Sequence, residues 1–366
     1  MNQADPAYVT LTLVPGIGRA RLDMLLARFG TADAVLGASY QQLLSVSSIS
    51  PAAATAIGEA KPAVGERVVR QTRDLGGQVL LPTGKDFPVT LREIPDAPTL
   101  LFAVGRLDYL SSASVAVVGS RSHSRYGAAV CRMFAGGSSR AGLVVVSGMA
   151  RGLDRIAHEA ALDSGGGGTV GVLGNGLGVV YPAANRALYD RVAAEGCIVT
   201  EFPPGERPSA GSFPRRNRLI SGLAMVTLVV EAGERSGTLI TADCALLQGR
   251  EVLAVPGPIT SPLSLGCNRL IQHGAKPALG LRDVLEEYGI SGASPPGVSL
   301  PNDLTETERR AIDVLELGAE QVDDIAQRLG TSTGEALAAL TSLEIRGLVD
   351  QEPGKLFRMA VGRCQL

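Results

Sequence analysis

The stretch Ser114-Val115-Ala116-Val117-Val118-Gly119-Ser120-Arg121 decides the fold. A β-branched apolar run stops at Gly-Ser-Arg, and a helix-compatible segment follows over residues 126–141. That is strand, tight turn, helix. At such a turn the free backbone N–H groups and the helix N-terminus favour an anion. Glycine permits close backbone approach, and the Arg121 guanidinium carries a fork that fits phosphate. The arrangement recurs. Residues 143–146 lead into Ser147-Gly148-Met149-Ala150-Arg151-Gly152, and residues 226–230 lead to Glu231 and then Ser236-Gly237-Thr238. Several phosphate-sized turns along one sheet edge suit a polyanion better than a single nucleotide, and the carboxyl ends of strands are where open α/β sheets bind ligands.

Working outward, strand candidates at 115–118, 143–146, 169–173, 197–201, 225–231 and 251–255 alternate with helical segments. This predicts a mostly parallel sheet with helices on both faces. The strands lack strict polar alternation, as expected when both faces are covered. Gly165-Gly166-Gly167-Gly168 precedes its strand and reads as a flexible turn, not a phosphate loop. Short strands at 78–81 and 99–104, with Pro82, Pro88, Pro95 and Pro98 between them, form a lead-in to the sheet.

The 366 residues allow two or three domains, and 45% hydrophobic with 19% charged residues is a globular composition. No apolar run is long enough to span a membrane, and the N-terminus lacks signal-peptide character, so a cytoplasmic protein is expected. The net charge of −2 means that any nucleic-acid partner must be argued from local clustering. Lysine occurs only at Lys61, Lys85, Lys276 and Lys355, so the basic residues are nearly all arginine. Codon composition and phosphate recognition both account for that ratio. The five cysteines lack metal-ligand spacing and the three histidines are dispersed, so neither a metal site nor a disulfide framework is expected. No G-x-G-x-x-G follows the central strand and no P-loop motif is present, which disfavours a dinucleotide cofactor or an ATPase; no cofactor is expected.

Residues 1–75 read as a small helical domain. Leu13-Val14-Pro15-Gly16-Ile17-Gly18-Arg19-Ala20 resembles a helix-hairpin-helix motif, which serves either DNA binding or protein contact and packing. A second copy at 44–51 lacks the glycines and is expected to serve packing alone. Residues 76–290 hold the sheet domain, and 291–303 form a linker. From 304 to 366 comes a tail with a capping box at Thr305–Glu308. It continues with helices at 322–330 and 331–347 and a hairpin around Pro353-Gly354, the winged-helix pattern. Its second helix, which reads Ser332-Thr333-Gly334-Glu335-Ala336-Leu337-Ala338-Ala339-Leu340, has almost no basic residues. A protein-contact role fits it better than groove reading.

The densest basic cluster is Phe213-Pro214-Arg215-Arg216-Asn217-Arg218. Pro214 suits a helix start, Arg215 and Arg218 then share a face, and Phe213 is placed to stack on a base. Arginine beside an exposed aromatic is the chemistry of single-stranded nucleic-acid binding. Asp154 and His158, one helical turn apart, form either an acid–base pair or a structural set in which Asp154 complements the helix N-terminus and His158 packs inside.

These motifs occur in one order. Val118-Gly119-Ser120-Arg121 with Tyr126-Gly127 comes first, followed by Ser147-Gly148-Met149-Ala150-Arg151-Gly152-Leu153-Asp154 with Ala157-His158. Then come Gly174-Asn175-Gly176 with Tyr181-Pro182, the stretch from Phe213 to Leu223, Ser236-Gly237-Thr238, Val255-Pro256-Gly257, and Asn268-Arg269-Leu270-Ile271 before Gly274-Ala275. The series resembles the DprA/Smf family of DNA-processing proteins and covers the whole sheet domain. The resemblance implies an extended Rossmann-like sheet flanked by a SAM-like, helix-hairpin-helix domain and a winged helix. It implies a homodimer that binds single-stranded DNA in natural transformation, protects incoming strands and helps load RecA recombinase. By motif, Gly119, Ser120, Arg121, Ser147, Gly148 and Met149 would hold phosphate. Phe213, Arg215, Arg216, Asn217 and Arg218 would belong to the DNA pocket, and Asn268, Leu270, Ile271 and Gly274 would lie near the dimer contact. The family often has a basic residue shortly before Phe-Pro, and here Pro208-Ser209-Ala210-Gly211-Ser212 has none. An alternative is a nucleotide phosphoribohydrolase on a similar sheet, but Thr241 stands where its catalytic carboxylate belongs. A transcription factor acting through the tail is a third reading, opposed by sparse positive charge between 304 and 349.

Overall fold

The computed structural model describes residues 5–290, 301, 303–316, 320–352 and 354–359. The chain divides into two compact units, Met1–Glu287 and Tyr288–Leu366. The expected linker at 291–303 lies, apart from Pro301 and Asp303, outside the described residues.

The first unit opens with six helices, α1 (Pro6–Thr12), α2 (Arg19–Phe29), α3 (Ala32–Leu36), α4 (Tyr40–Leu44), α5 (Pro51–Glu59) and α6 (Pro62–Asp74). They enclose a core of Leu11, Leu22, Leu25, Leu43 and Ile57. Two hairpins within it share one backbone. Ile17 N–H bonds Val14 O (3.1 Å) and Ile49 N–H bonds Val46 O (3.2 Å). Gly16 has φ +82° and Ser48 φ +81°. The second hairpin therefore keeps the conformation of the first without its glycine, at a cost of about 1–2 kcal/mol for an L-residue in that region. Val14, Ile17, Val46 and Ile49 all enter the shared core. The helices also join the sheet: the Tyr8 hydroxyl donates to Thr99 O at 2.9 Å, and Val9 and Val68 pack with Phe102 and Ile198.

The nine sheet strands are β1 (Gln78–Leu80), β2 (Leu101–Gly105), β3 (Ser114–Val118), β4 (Val144–Ser147), β5 (Thr169–Val172), β6 (Cys197–Thr200), β7 (Val226–Val229), β8 (Glu251–Ala254) and β9 (Lys276–Pro277), in spatial order β1-β2-β6-β5-β4-β3-β7-β8-β9. From β6 to β9 every pairing is parallel, and β1 and β2 close one edge antiparallel. Strand β3 is buried at every position, because helices cover both faces. Ala116 and Val118 point to the layer of α11 (Ser212–Leu223) and α12 (Thr238–Leu247), which follows α7 (Val89–Arg92), α8 (Arg125–Arg140), α9 (Leu153–Asp163) and α10 (Arg186–Glu195) in the chain. Val115 and Val117 point to the other side. Helices α13 (Leu265–Gln272) and α14 (Leu281–Glu286) complete the unit. The chain runs outward from β3 through β4, β5 and β6, then returns to β7 on the other flank of β3. This reversal makes the carboxyl ends of β3 and β7 a topological switch point.

The four-glycine run before β5 is a tight turn and not a loose one. Gly167 N–H bonds Ser139 O at 2.6 Å. A side chain on Gly166 or Gly167 would strike the backbone of Ser139 or Leu143.

The second unit holds α15 (Glu306–Glu316), β10 (Glu320–Gln321), α16 (Val322–Leu329), α17 (Thr333–Ile345), β11 (Val349–Glu352) and β12 (Leu356–Met359). The strands form a sheet in the order β10-β12-β11. The expected capping box is present, with Thr305 N–H on Glu308 Oε2 (2.7 Å) and Glu308 N–H on Thr305 Oγ1 (3.2 Å). Gly330 ends α16 at φ +68°. Ile325, Leu340, Leu343 and Phe357 fill the core. This is a winged-helix arrangement, and between residues 303 and 359 twelve Asp and Glu face six Lys and Arg.

Candidate nucleic-acid interface

At the end of β3 the backbone is already engaged. Ser120 N–H bonds Glu231 O (2.8 Å), the Ser120 hydroxyl donates to Ser122 O (2.7 Å), and Leu153 N–H bonds Ser120 O (3.2 Å). Gly119 is closed over by the Leu153 side chain. Buried Glu231 accepts from Ser124 N–H (2.8 Å) and from the Ser124 hydroxyl (2.6 Å), while Ser124 Oγ accepts Gly127 N–H and so caps α8. Arg121, Ser122 and His123 are exposed at this turn, and the Arg121 side chain reaches an aromatic ring. Its Cζ lies 5.6 Å from the centroid of the Phe213 ring, within cation–π range. Tyr181 completes the aromatic cluster, with its ring centroid 5.5 Å from that of Phe213 at an interplanar angle of 38°. Tyr181 is 47% exposed and Phe213 is half-buried. Arg121 comes from the turn after β3, Tyr181 from the loop after β5 and Phe213 from the first turn of α11. The three meet at the carboxyl edge of the sheet.

The turn after β4 is tied into the sheet and into α9. Ser147 is fully buried and its hydroxyl donates to Val117 O (2.7 Å). Met149 N–H bonds His158 Nε2 (3.3 Å), and Ala150 N–H bonds Asp154 Oδ2 (3.4 Å). The amides of Met149 and Ala150 are thus engaged within the chain. Met149 also holds φ +57°, with its side chain in the core. His158 Nδ1 contacts Thr169 Oγ1 at 2.7 Å, and that hydroxyl donates to Val145 O (2.6 Å), so the ring donates from Nδ1 and accepts at Nε2. Burial pushes His158 down to about 3, with the Arg216 charge acting in the same direction. The imidazole is neutral and structural; of the two sequence readings of Asp154 and His158, the geometry is that of the structural set.

The arginine cluster on α11 divides. Arg216 is buried, and its Nη1 donates to Gly148 O (2.5 Å) and Val172 O (2.6 Å), while Nε donates to Asn217 Oδ1 (3.2 Å). Burial draws its guanidinium down to about 10 against the opposing pull of Asp154. Burial likewise pushes the Asp154 carboxyl up, against the pull of Arg216. Arg216 therefore braces the loops after β4 and β5 instead of facing solvent. Arg218 pairs with Glu201 Oε2 (2.6 Å) and Asp96 Oδ2 (3.1 Å), and its side chain is 11% exposed. Arg215 shares Glu201 Oε2 (3.0 Å) and stacks on Phe202 (5.1 Å) but remains exposed. Asn217 is buried, with its amide on Gly237 O (3.4 Å). Arg215 and Arg218 do share one face, as their spacing predicts, but a buried carboxylate occupies it. No sequence signal in the cluster pointed to Glu201, which lies on the loop after β6. Tyr181 was legible as part of a motif, but only the fold brings it to Phe213.

Among the expected dimer residues, the Asn268 side chain closes on Gly257 N–H (3.2 Å) and O (2.9 Å) of its own chain. Leu270 and Ile271 are half-buried against the core, and Gly274 is exposed at φ +104°. Among the described residues no helix is long and apolar enough to cross a membrane.

A doubly wound, mostly parallel sheet with an arginine and an aromatic pair at its switch-point edge, carried with a winged helix, defines a Rossmann-like α/β protein. More narrowly, the chain belongs to the DprA family: residues 78–289 match the model of DNA recombination-mediator protein A, and residues 294–355 match the DprA winged helix domain. Protein Smf of Escherichia coli is 40% identical over 289 residues, covering 76% of this chain and 77% of that protein. The X-ray structure of DNA processing protein A from Streptococcus pneumoniae superposes with a TM-score of 0.69 at 36% identity, over 77% of this chain and 97% of that one. A Helicobacter pylori DNA processing protein A, solved to describe its single-stranded DNA binding mode, gives a TM-score of 0.53 at 27% identity, over 58% of this chain and 95% of that one.

Proposed function

We propose that this chain binds single-stranded DNA at the Arg121–Phe213–Tyr181 cluster, with a base on the aromatic rings and a phosphate on the guanidinium. It then acts in natural transformation as a non-enzymatic recombination mediator that protects incoming strands and helps load RecA. The observation that carries the reading is the Arg121 guanidinium over the Phe213 ring, 5.6 Å from its centroid, at the switch point. Stacking on an aromatic ring contributes about 1–3 kcal/mol per base and tolerates any sequence, whereas a duplex keeps its bases in the stack. The Helicobacter pylori relative, described by its single-stranded DNA binding mode, supports the same ligand here. The non-enzymatic reading is supported by Thr241, which is buried where a hydrolase of similar fold needs a carboxylate. We also propose a cytoplasmic homodimer in which Leu270, Ile271 and Gly274 meet the partner beside the exposed Leu279, with Asn268 shaping the loop next to them.

The test is fluorescence anisotropy of a labelled single-stranded oligonucleotide and its duplex over a salt series. Tighter binding of the single strand, weakened by salt and by Arg121→Ala and Phe213→Ala, is the expected result. Equal binding by wild type and both variants would remove this cluster as the site.

A further inference from the structure

We propose that Arg151 and Arg186 form a second phosphate subsite, continuing the single-strand path beyond Arg121; the inference rests on the reading of the Arg121–Phe213–Tyr181 cluster as the base site. A joint between two loops brings together the stretches of backbone that carry them. The Asn185 side-chain amide, 2% exposed, donates to Met149 O (3.0 Å) and to Ala150 O (3.1 Å). Arg151 and Arg186 are the residues that immediately follow this junction on the two strands of chain. Both side chains are exposed, and among the described residues neither has a carboxylate within ion-pair distance. Arginines further along, on α9 and α10, do: Arg155 is paired with Glu159, and Arg191 with Asp163 and Glu195.

The junction abuts both parts of the first site. Gly152, next to Arg151, lies so close to the turn after β3 that a Cβ there would sit 2.5 Å from Ser120 O and 2.6 Å from Arg121 O. Tyr181 leads through one short turn to Asn185. Cations and rings thus follow one another around the loops after β3, β4 and β5. The amides of Met149 and Ala150 are engaged by His158 and Asp154, so an anion here has side-chain guanidinium groups to meet it and not a backbone cradle. Two planar forks suit phosphate. They also supply positive charge to a sheet edge at which Arg216 and Arg218 are withdrawn and residues 208–212 hold no cation.

The experiment compares the full-length protein with Arg151→Ala/Arg186→Ala, using thymidine oligonucleotides of about four and about sixteen nucleotides, the range of single-strand sites. Each lost phosphate contact removes about 0.7 from the slope of log affinity against log salt on single strands, or about fivefold in affinity at 0.1 M salt. The expected result is a slope shallower by about 1.4 on the long oligonucleotide and little change on the short one. The Arg151→Lys/Arg186→Lys variant should restore the slope, because it keeps the charges, while Arg151→Gln/Arg186→Gln should behave as the alanine pair. An unchanged slope and affinity on the long oligonucleotide in both neutral variants would overturn the subsite. Arg121→Ala and Phe213→Ala, run in parallel, report separately on the base site: their failure to weaken binding would overturn that reading, whatever the double variants do.

Discussion

Asp154 and Arg216 meet across Gly148: Oδ2 of the one and Nη1 of the other each lie 2.7 Å from the point where a Cβ on that glycine would stand. Both side chains are buried. An acid, a base and a glycine, taken from three places in the chain, therefore form one buried brace beneath the loops that carry Arg121, Arg151 and Tyr181.

Gly148→Ala should destabilise the protein by about 1–3 kcal/mol, because the new methyl group must displace charged atoms fixed by other bonds. Gly58→Ala is the contrast. No atom lies within 4 Å of a Cβ there, on the exposed side of α5, so the loss of glycine entropy should stabilise by about 0.5 kcal/mol. Urea unfolding of the two variants checks both signs.

Arg216→Ala should lower stability by about 2–5 kcal/mol, since it strands the carbonyls of Gly148 and Val172 in the interior. Arg216→Lys should not rescue it, because one ammonium on a flexible stem does not reproduce the guanidinium geometry. Any loss of DNA binding should track the fall in melting temperature measured by calorimetry.

Phe213→Ala should weaken single-strand binding by about 1–3 kcal/mol with little change in the salt slope, as a stacking residue does. Arg121→Ala should flatten that slope by about 0.7. Tyr181→Ala should resemble Phe213→Ala in kind. Anisotropy titrations at several salt concentrations separate ring from charge.

His158 makes stability depend on acid. Its folded value, about 3, lies below the ordinary 6.5, so the unfolded chain binds the proton more readily. The stabilisation is complete above pH 6.5 and is lost as pH falls from there toward 3, at up to about 1.4 kcal/mol per pH unit. His158→Gln should be less stable at pH 8, where the Met149 and Thr169 contacts are disturbed, and should lose this part of the pH slope. Unfolding free energies between pH 8 and pH 4 for both proteins test it.

Much of the sheet was legible because buried parallel strands are written as continuous apolar runs. The run at 115–118 became β3 and that at 251–255 became β8, each within a residue at either end. The second hairpin was less legible. Ser48 takes a glycine conformation that its sequence gives no reason to expect, and the surrounding core holds it there. In the arginine cluster, spacing correctly placed Arg215 and Arg218 on one face, but it could not see Glu201 arriving from another loop.

By itself the sequence determined the alternation of strand and helix, the glycine turns at the carboxyl edge and the ordered motifs that mark the family. These are local properties, set by apolar periodicity and backbone permissiveness over a few residues. Only the tertiary structure decided which polar groups stay at the surface and which are used inside. Arg216 and Arg121 have the same side chain, yet one is consumed by two buried carbonyls and the other stands over an aromatic ring. The reason is that a buried polar group must find its hydrogen-bond partners inside the fold, and those partners come from segments distant in sequence.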